Sequence, residues 1–340
     1  NMFLRFLVML MVASAAQSAS SATPLRIVTF NAEILTAPGV RAGQISKYRF
    51  GDARARHIER VADVVETLSP DILNLVEVTS REAVDRIVAL LHEKGLTDYR
   101  GYHVECNDTF TGMDVALISR FTPDEINGAP ICTINSEEDD PTWQQSFSFI
   151  GYSGSRVTQS TSLSRNSMYF ITVDGWKLGF FGLHLKSNPS DQYANAKRTA
   201  QAAVAVRAIR GEITPRGYLP VVLGDINDYD PDVPDRDESR STATDVLRTL
   251  KDFDADKAGP ELFNAATAIK RQADRYTSHW DWNENGARDP QDVLTMIDHI
   301  LLPNELKPYL QRAFVAHVVG LDTSDHYPVV VDLLLPPRPQ

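Results

Sequence analysis

The sequence predicts a mixed α/β protein. Apolar strand-like runs alternate with amphipathic helical stretches early in the chain, and hairpin signals appear later. The composition, 43% hydrophobic and 23% charged over 340 residues, is that of a globular protein. It excludes disorder, collagen-like repeats and a multi-span membrane protein. Length alone predicts two domains. A formal net charge of -11 argues against holding nucleic acid through a broad basic surface.

The first segment stands apart. Met2-Phe3-Leu4-Arg5 and the apolar run Phe6–Val12 precede Ala13-Ser14-Ala15-Ala16, the layout of a secretory signal peptide. The expectation is a leader over 1–22, a domain over 23–340, and a secreted or periplasmic protein. Its removal takes away Arg5 alone, and no later run reaches membrane-spanning length. In an oxidising compartment Cys106 and Cys132 are expected to form a disulfide, the alternative being two separate buried thiols.

Leu25–Phe30 reads as a buried strand, and Ile58, Val61, Val65 and Leu68 mark one face of a helix ending before Pro70. Asp71–Glu77 is a second strand. Thr79 and Glu82 are spaced as a capping box for a helix that stops at Gly95. Strands are expected at Val115–Ser119 and Met168–Val173, with Asp174-Gly175 turning the latter into Trp176–Leu183. An alanine-rich helix follows over Asp191–Arg210. Leu219–Gly224, Met296–Leu302 and Val329–Leu335 complete the strands. The acidic runs Glu137–Asp140 and Asp230–Glu238 read as solvated loops.

Function is written where polar residues end or interrupt those strands. Asn31 and Glu33 follow the first, Glu77 and His184 close two others, and Asp225 and Asn227 follow Gly224. Asp298 interrupts an apolar run, and Asp325-His326 precede the last strand. A carboxylate beside an apolar run costs several kcal/mol unless it is paired or metal-bound. Clustered carboxylates suit an oxygen-loving cation, and histidines beside it supply acid–base groups near neutral pH. The combination suits hydrolysis of a phosphate ester.

Phe30-Asn31-Ala32-Glu33, Pro70–Glu77, Gly182-Leu183-His184-Leu185-Lys186-Ser187, Gly224-Asp225-Ile226-Asn227-Asp228, Ile297-Asp298-His299 and Ser324-Asp325-His326-Tyr327-Pro328 occur in a telling order. In these motifs, over about residues 25–336, the chain resembles the endonuclease/exonuclease/phosphatase superfamily. The resemblance implies a single four-layer αββα sandwich, against the two domains expected from length. It implies Mg2+ or Mn2+ held by Glu77 with Asn31, Glu33 and Asp325. It also implies His326 oriented by Asp298, His184 as a second catalytic histidine, and Asp225 with Asn227 orienting water and the scissile phosphate. Arg165 and Thr277 resemble phosphate contacts. Which histidine is acid and which is base stays open.

A second metal motif is separate. Asp281-Trp282-Asn283-Glu284-Asn285-Gly286-Ala287-Arg288-Asp289-Pro290-Gln291-Asp292 matches a twelve-residue calcium loop. Asp281, Asn283, Asn285, Ala287, Asp289 and Asp292 would surround Ca2+. The twelfth residue is Asp rather than Glu, and no helix pair flanks the loop, so a polar turn is the alternative. The expected substrate is a phosphodiester, with nucleic acid first and membrane lipid or a phosphomonoester as alternatives. A calcium-dependent binding protein without turnover is the non-enzymatic reading. No obligate protein partner is evident. Arg54, Arg56, Arg60, Arg165, Lys186, Lys197 and Arg198 are the cations that could touch a backbone, Arg60 and Arg198 reading best as a solvated helix face. For the lipid reading, Trp143 with Phe147-Ser148-Phe149 offers a membrane hairpin.

Overall fold

The computed structural model describes residues 21–40, 43–44, 54–134 and 141–338. The expected leader, apart from its last two residues, and the acidic run Glu137–Asp140 lie outside them. Two mixed sheets pack face to face. The first contains β1 (Thr23–Leu35), β2 (Ile72–Val78), β3 (Arg100–Tyr102), β4 (Asp114–Ser119), β14 (Leu310–Val315) and β15 (Val329–Leu335), in the order β14-β15-β1-β2-β4-β3. The second runs β10-β13-β9-β8-β7, from β7 (Asn166–Val173), β8 (Trp176–His184), β9 (Leu219–Asp225), β10 (Leu262–Asn264) and β13 (Asp298–Pro303). Two small hairpins remain, β5 (Gln145–Ile150) with β6 (Arg156–Thr161), and β11 (Ser278–Trp280) with β12 (Val293–Thr295).

Strand periodicity explains the layers. Phe180, Val221, Leu223, Ile300 and Leu302 face the first sheet, while their neighbours Phe181, Val222 and Leu301 point the other way onto helices. On the outer face of the first sheet lie α1 (Arg54–Leu68) and α2 (Arg81–Glu93); on that of the second lie α3 (Gln192–Ala208) and α4 (Val246–Lys251). This is the four-layer αββα sandwich.

Most expected elements form, and the departures have physical causes. Ser80, not Thr79, is the N-cap of α2, because Thr79 spends its hydroxyl on Leu35 O and Thr36 Oγ1. Asp191 caps α3 by accepting from Ala194 N at 2.7 Å. β13 begins at Asp298 rather than Met296. The run from Asp230 is not simply solvated: Asp230 is buried against Lys251 Nζ at 2.9 Å, and Asp235 accepts from Ser239 N and Met296 N. Arg198 is not on a solvated face either. It is fully buried and donates to Asp228 Oδ2 at 2.9 Å, Lys186 O at 2.8 Å and Asn195 Oδ1 at 2.5 Å.

The disulfide does not form; both cysteines are free thiols. Cys106 Sγ faces Asn166 O at 3.1 Å, and Cys132 packs against the α3-side core. Burial and nearby Asp114 push the Cys106 thiol up to about 12. The rings expected on a membrane hairpin are packed against the protein instead. Phe147 and Phe149 pack on Tyr193, at ring separations of 5.8 and 4.9 Å, and Trp143 is half-buried against the same core. No helix among the described residues is long and apolar enough to cross a membrane.

Candidate active site

The site lies where one end of each sheet meets the other. In the second sheet the ladder aligns His184 beside Asp225 across a parallel pair, and Asp225 beside Asp298 across an antiparallel pair. Backbone hydrogen bonding thus sets three chemistry-bearing residues in one row. The first sheet supplies Asn31 and Glu77 from adjacent strands, at a register shift in the β1–β2 pairing. Asn31 joins the sheets: its Nδ2 donates to Glu77 Oε1 at 3.1 Å and to Asp225 Oδ2 at 3.0 Å.

The chain is bent to aim these groups. Glu33, Ile34, Glu77 and Asn227 have φ of 50°, 57°, 62° and 55°, a left-handed region that costs a non-glycine residue about 1 kcal/mol or more. The turns are held by the site's own groups. Asn31 Oδ1 accepts from Glu33 N, Glu77 Oε2 from Ile34 N, and Asp225 Oδ1 from Asn227 N.

His326 sits opposite. Ser324 accepts from His326 N at 2.9 Å and donates to Asn31 O at 2.7 Å, fastening the final loop to β1. The His326 ring meets Asp298 Oδ2 through Nδ1 at 2.7 Å, leaving Nε2 3.9 Å from Asp225 Oδ2. His184 Nε2 lies 3.7 Å from the same Asp225 oxygen and 3.8 Å from Glu77 Oε1. Burial opposes charge on His326, but Asp298, Asp225 and Asp325 outweigh it and hold its pKa well above the usual histidine range. Burial, then Asp298 and Glu77, push Asp225 up to about 8 against the pull of His326 and Asn31.

Glu77, His184 and Asp225 bring ligand atoms within 4.8 Å of one another, as do Asp225, Asp298 and His326. Asp298 Oδ1 is buried without a hydrogen-bond partner. Two ring nitrogens among this many carboxylate oxygens form a donor set that fits a divalent cation.

The remaining expected residues fall around this centre. Glu33 accepts from Asp325 N at 3.1 Å, and Asp325 Oδ1 lies 4.0 Å from His326 Nε2. Arg165 lies against the His184 ring, with Nη1 3.2 Å from Nδ1, and its Nε is 3.4 Å from Asp108. Asn227 Nδ2 donates to Leu185 O. Thr277 departs from its expected phosphate contact: it is fully buried, and its hydroxyl accepts from Ile297 N and Asp298 N, so it positions Asp298 from beneath.

In the 281–292 loop, Asp281, Asn283 and Asn285 cap backbone N–H groups of Gly286, Asn285 and Ala287, while Asp289 accepts from both asparagine amides. Asp292 turns inward. It accepts from Asp289 N at 2.7 Å and pairs with His279 Nε2 at 2.7 Å, and His279 Nδ1 contacts Tyr327 Oη at 3.0 Å. The Asp289 amide and His279 hold Asp292 below the usual carboxylate range.

Sequence reading missed several groups. His103, Glu105 and Asp114 bring ligand atoms within 4.8 Å, with His103 Nε2 2.8 Å from Asp114 Oδ2. Buried Asp228 takes Arg198, Tyr229 N and the Thr244 hydroxyl. Asp114 carried the same signal as the others, a carboxylate at a strand end; Asp228 stood inside a quoted motif with no partner visible in the sequence.

The endonuclease/exonuclease/phosphatase family model matches residues 29–326. A search of curated proteins returns no match. Among solved structures, a 3'-5' exonuclease (NExo) from Neisseria meningitidis shares 17% identity at a TM-score of 0.57, covering 91% of this chain and 99% of that one. D. rerio TDP2 complexed with single strand DNA product shares 15% identity at a TM-score of 0.52, covering 91% and 98%. A family protein from Leptotrichia buccalis shares 14% identity at 0.55, covering 90% and 98%.

Proposed function

From the premise that the chain belongs to the endonuclease/exonuclease/phosphatase family and is a metal-dependent phosphoric ester hydrolase, we propose that it cleaves phosphodiester bonds of a nucleic-acid strand. The observation that carries the reading is the convergence on Asp225 Oδ2, with Asn31, His184 and His326 all within 3.9 Å. The NExo and DNA-complexed TDP2 names add support for nucleic acid as the substrate class. Phe147 and Phe149, the rings that would have favoured lipid, are packed on Tyr193.

In this reading Glu77, with Asn31, Glu33 and Asp325, would hold Mg2+ or Mn2+. Bound there, the cation supplies positive charge to a phosphate oxygen. Asp225 and Asn227 orient the attacking water in line with the leaving oxygen. His326, held by Asp298, donates to the phosphate or its departing oxygen. His184, with Arg165 against its ring, contacts the other side of the same phosphate. His326→Ala and Asp225→Ala should each lose about 10²–10⁴-fold in rate while still folding. The assay offers plasmid DNA, RNA, sphingomyelin and inositol phosphates with magnesium, manganese or calcium. Sphingomyelin hydrolysis without nucleic-acid cleavage would reverse the substrate assignment.

Two finer statements belong to the same proposal. Residues 1–22 are a leader removed on export, so the enzyme works outside the cytoplasm; an N-terminus other than one near residue 23 in protein recovered from the medium or periplasm refutes this. The 281–292 loop binds Ca2+. The D-x-N-x-N-G spacing supports it, as does Asp281, which caps Gly286 N with Oδ2 while its Oδ1 is buried without a partner. Calcium should raise the melting temperature of the wild type and not of Asp281→Ala; an equal response in both discards the site.

A further inference from the structure

The four tryptophans divide sharply. Trp176 is buried and Trp143 half-buried, while Trp280 and Trp282 are 63% and 46% exposed. Both exposed rings lie at the β11–β12 hairpin, where Trp280 pairs across the strands with Val293, itself 40% exposed. An exposed apolar patch of this kind is a candidate binding surface.

Its orientation follows from the strand. Ser278 forms an antiparallel bridge with His326, and residues opposed in such a bridge project to the same face. His279 points to the other face, into Asp292 and Tyr327 Oη. Strand alternation therefore returns Trp280 to the face of Ser278 and His326. At about 3.4 Å per residue, it stands roughly 7 Å along the strand from the position opposite the histidine, a separation one nucleotide can bridge.

We propose that Trp280 is a stacking platform for an unpaired base next to the scissile phosphate, so that the enzyme prefers single-stranded or frayed substrate. This rests on the nucleic-acid reading above. Stacking suits a chain of net charge -11, since an indole grips a base through its π-face without a basic surface. A bilayer is the poorer occupant: the loop next to the rings carries Asp281, Glu284, Arg288 and Asp289, charges that resist insertion into a hydrocarbon layer.

The test uses the full chain with magnesium and a fluorescein-labelled phosphorothioate oligothymidylate, followed by anisotropy. Trp280→Ala should bind about tenfold more weakly, Trp280→Phe should recover most of the loss, and the ratio should persist across salt. An abasic strand should bind wild type and Trp280→Ala alike. Equal binding of oligothymidylate by wild type and Trp280→Ala would overturn the platform. So would a response of tryptophan emission to sphingomyelin–phosphatidylcholine vesicles but not to the oligonucleotide. Hydrolysis of bis(p-nitrophenyl) phosphate by the wild type, a diester with no base to stack, separates the two readings. If that substrate is untouched the diesterase function fails; if it is cleaved while Trp280→Ala still binds like wild type, only the platform fails.

Discussion

Replacing Arg198 with methionine should be among the most damaging changes outside the site itself. The guanidinium has no exposed surface, and neither has the Asp228 carboxylate it meets at 2.9 Å. Methionine keeps most of the volume, so packing changes little and the loss is electrostatic. It strips one donor from Asp228, one from Lys186 O and one from Asn195 Oδ1. Removing one partner of a buried pair costs about 3–5 kcal/mol. Asp228 keeps Tyr229 N and the Thr244 amide and hydroxyl, which places the expected loss near ~3 kcal/mol. For a domain this large that is a fall of roughly 6–12 °C in melting temperature. Thermal and urea unfolding of Arg198→Met, Asp228→Asn and the double variant form a cycle. The double variant, with neither buried charge, should be more stable than the two single losses summed. A single variant within about 1 kcal/mol of wild type, or strictly additive losses, would refute the argument.

Other consequences can be measured on the same protein. Burial lowers His57 to about 4, against its ordinary 6.5, despite its hydrogen bond to Thr323 O. The unfolded chain then binds the extra proton first, so this contribution is complete above pH ~6.5 and is lost as pH falls toward 4. The gap corresponds to about 3 kcal/mol. His57→Gln should lose correspondingly less stability than wild type between pH 7 and pH 4, and parallel curves would contradict the assignment. The thiols give a third check. Denatured, unreduced protein should titrate two free thiols, Cys106 should react slowly in the native state, and reductant should leave the melting temperature unchanged. A thiol count of zero before reduction would show that the bridge exists.

Much of the site was legible because its strands are apolar on both faces. Against Val221-Val222-Leu223 or Phe180-Phe181, a polar residue at the strand end is conspicuous, and burial on both sides of a sandwich is what makes such runs continuous. β11, β12, β14 and the β5–β6 hairpin escaped notice because they are short, partly exposed and mixed in composition. Pairings distant in sequence were hidden too. Arg198 sits on an alanine-rich helix where a solvated cation is unremarkable, and its partner is thirty residues on. The disulfide expectation failed for a related reason: an even cysteine count says nothing about proximity, and these two thiols face different surroundings. Thr277 resembled a substrate contact only until the backbone amides of Ile297 and Asp298 were seen to occupy its hydroxyl.

The left-handed residues at Glu33, Ile34, Glu77 and Asn227 bear on how such an enzyme could change over generations. At each of them glycine would relax the chain, and at three it would delete a metal-holding carboxylate or a water-orienting amide. Stability and chemistry therefore pull these codons in opposite directions. Released from the need to cleave anything, a lineage could drift toward a sturdier protein by small steps, each tolerated by the sandwich. The catalytic rim would erode before the layers beneath it. A silent descendant should keep the eleven strands of the two large sheets and lose the bends that crown them.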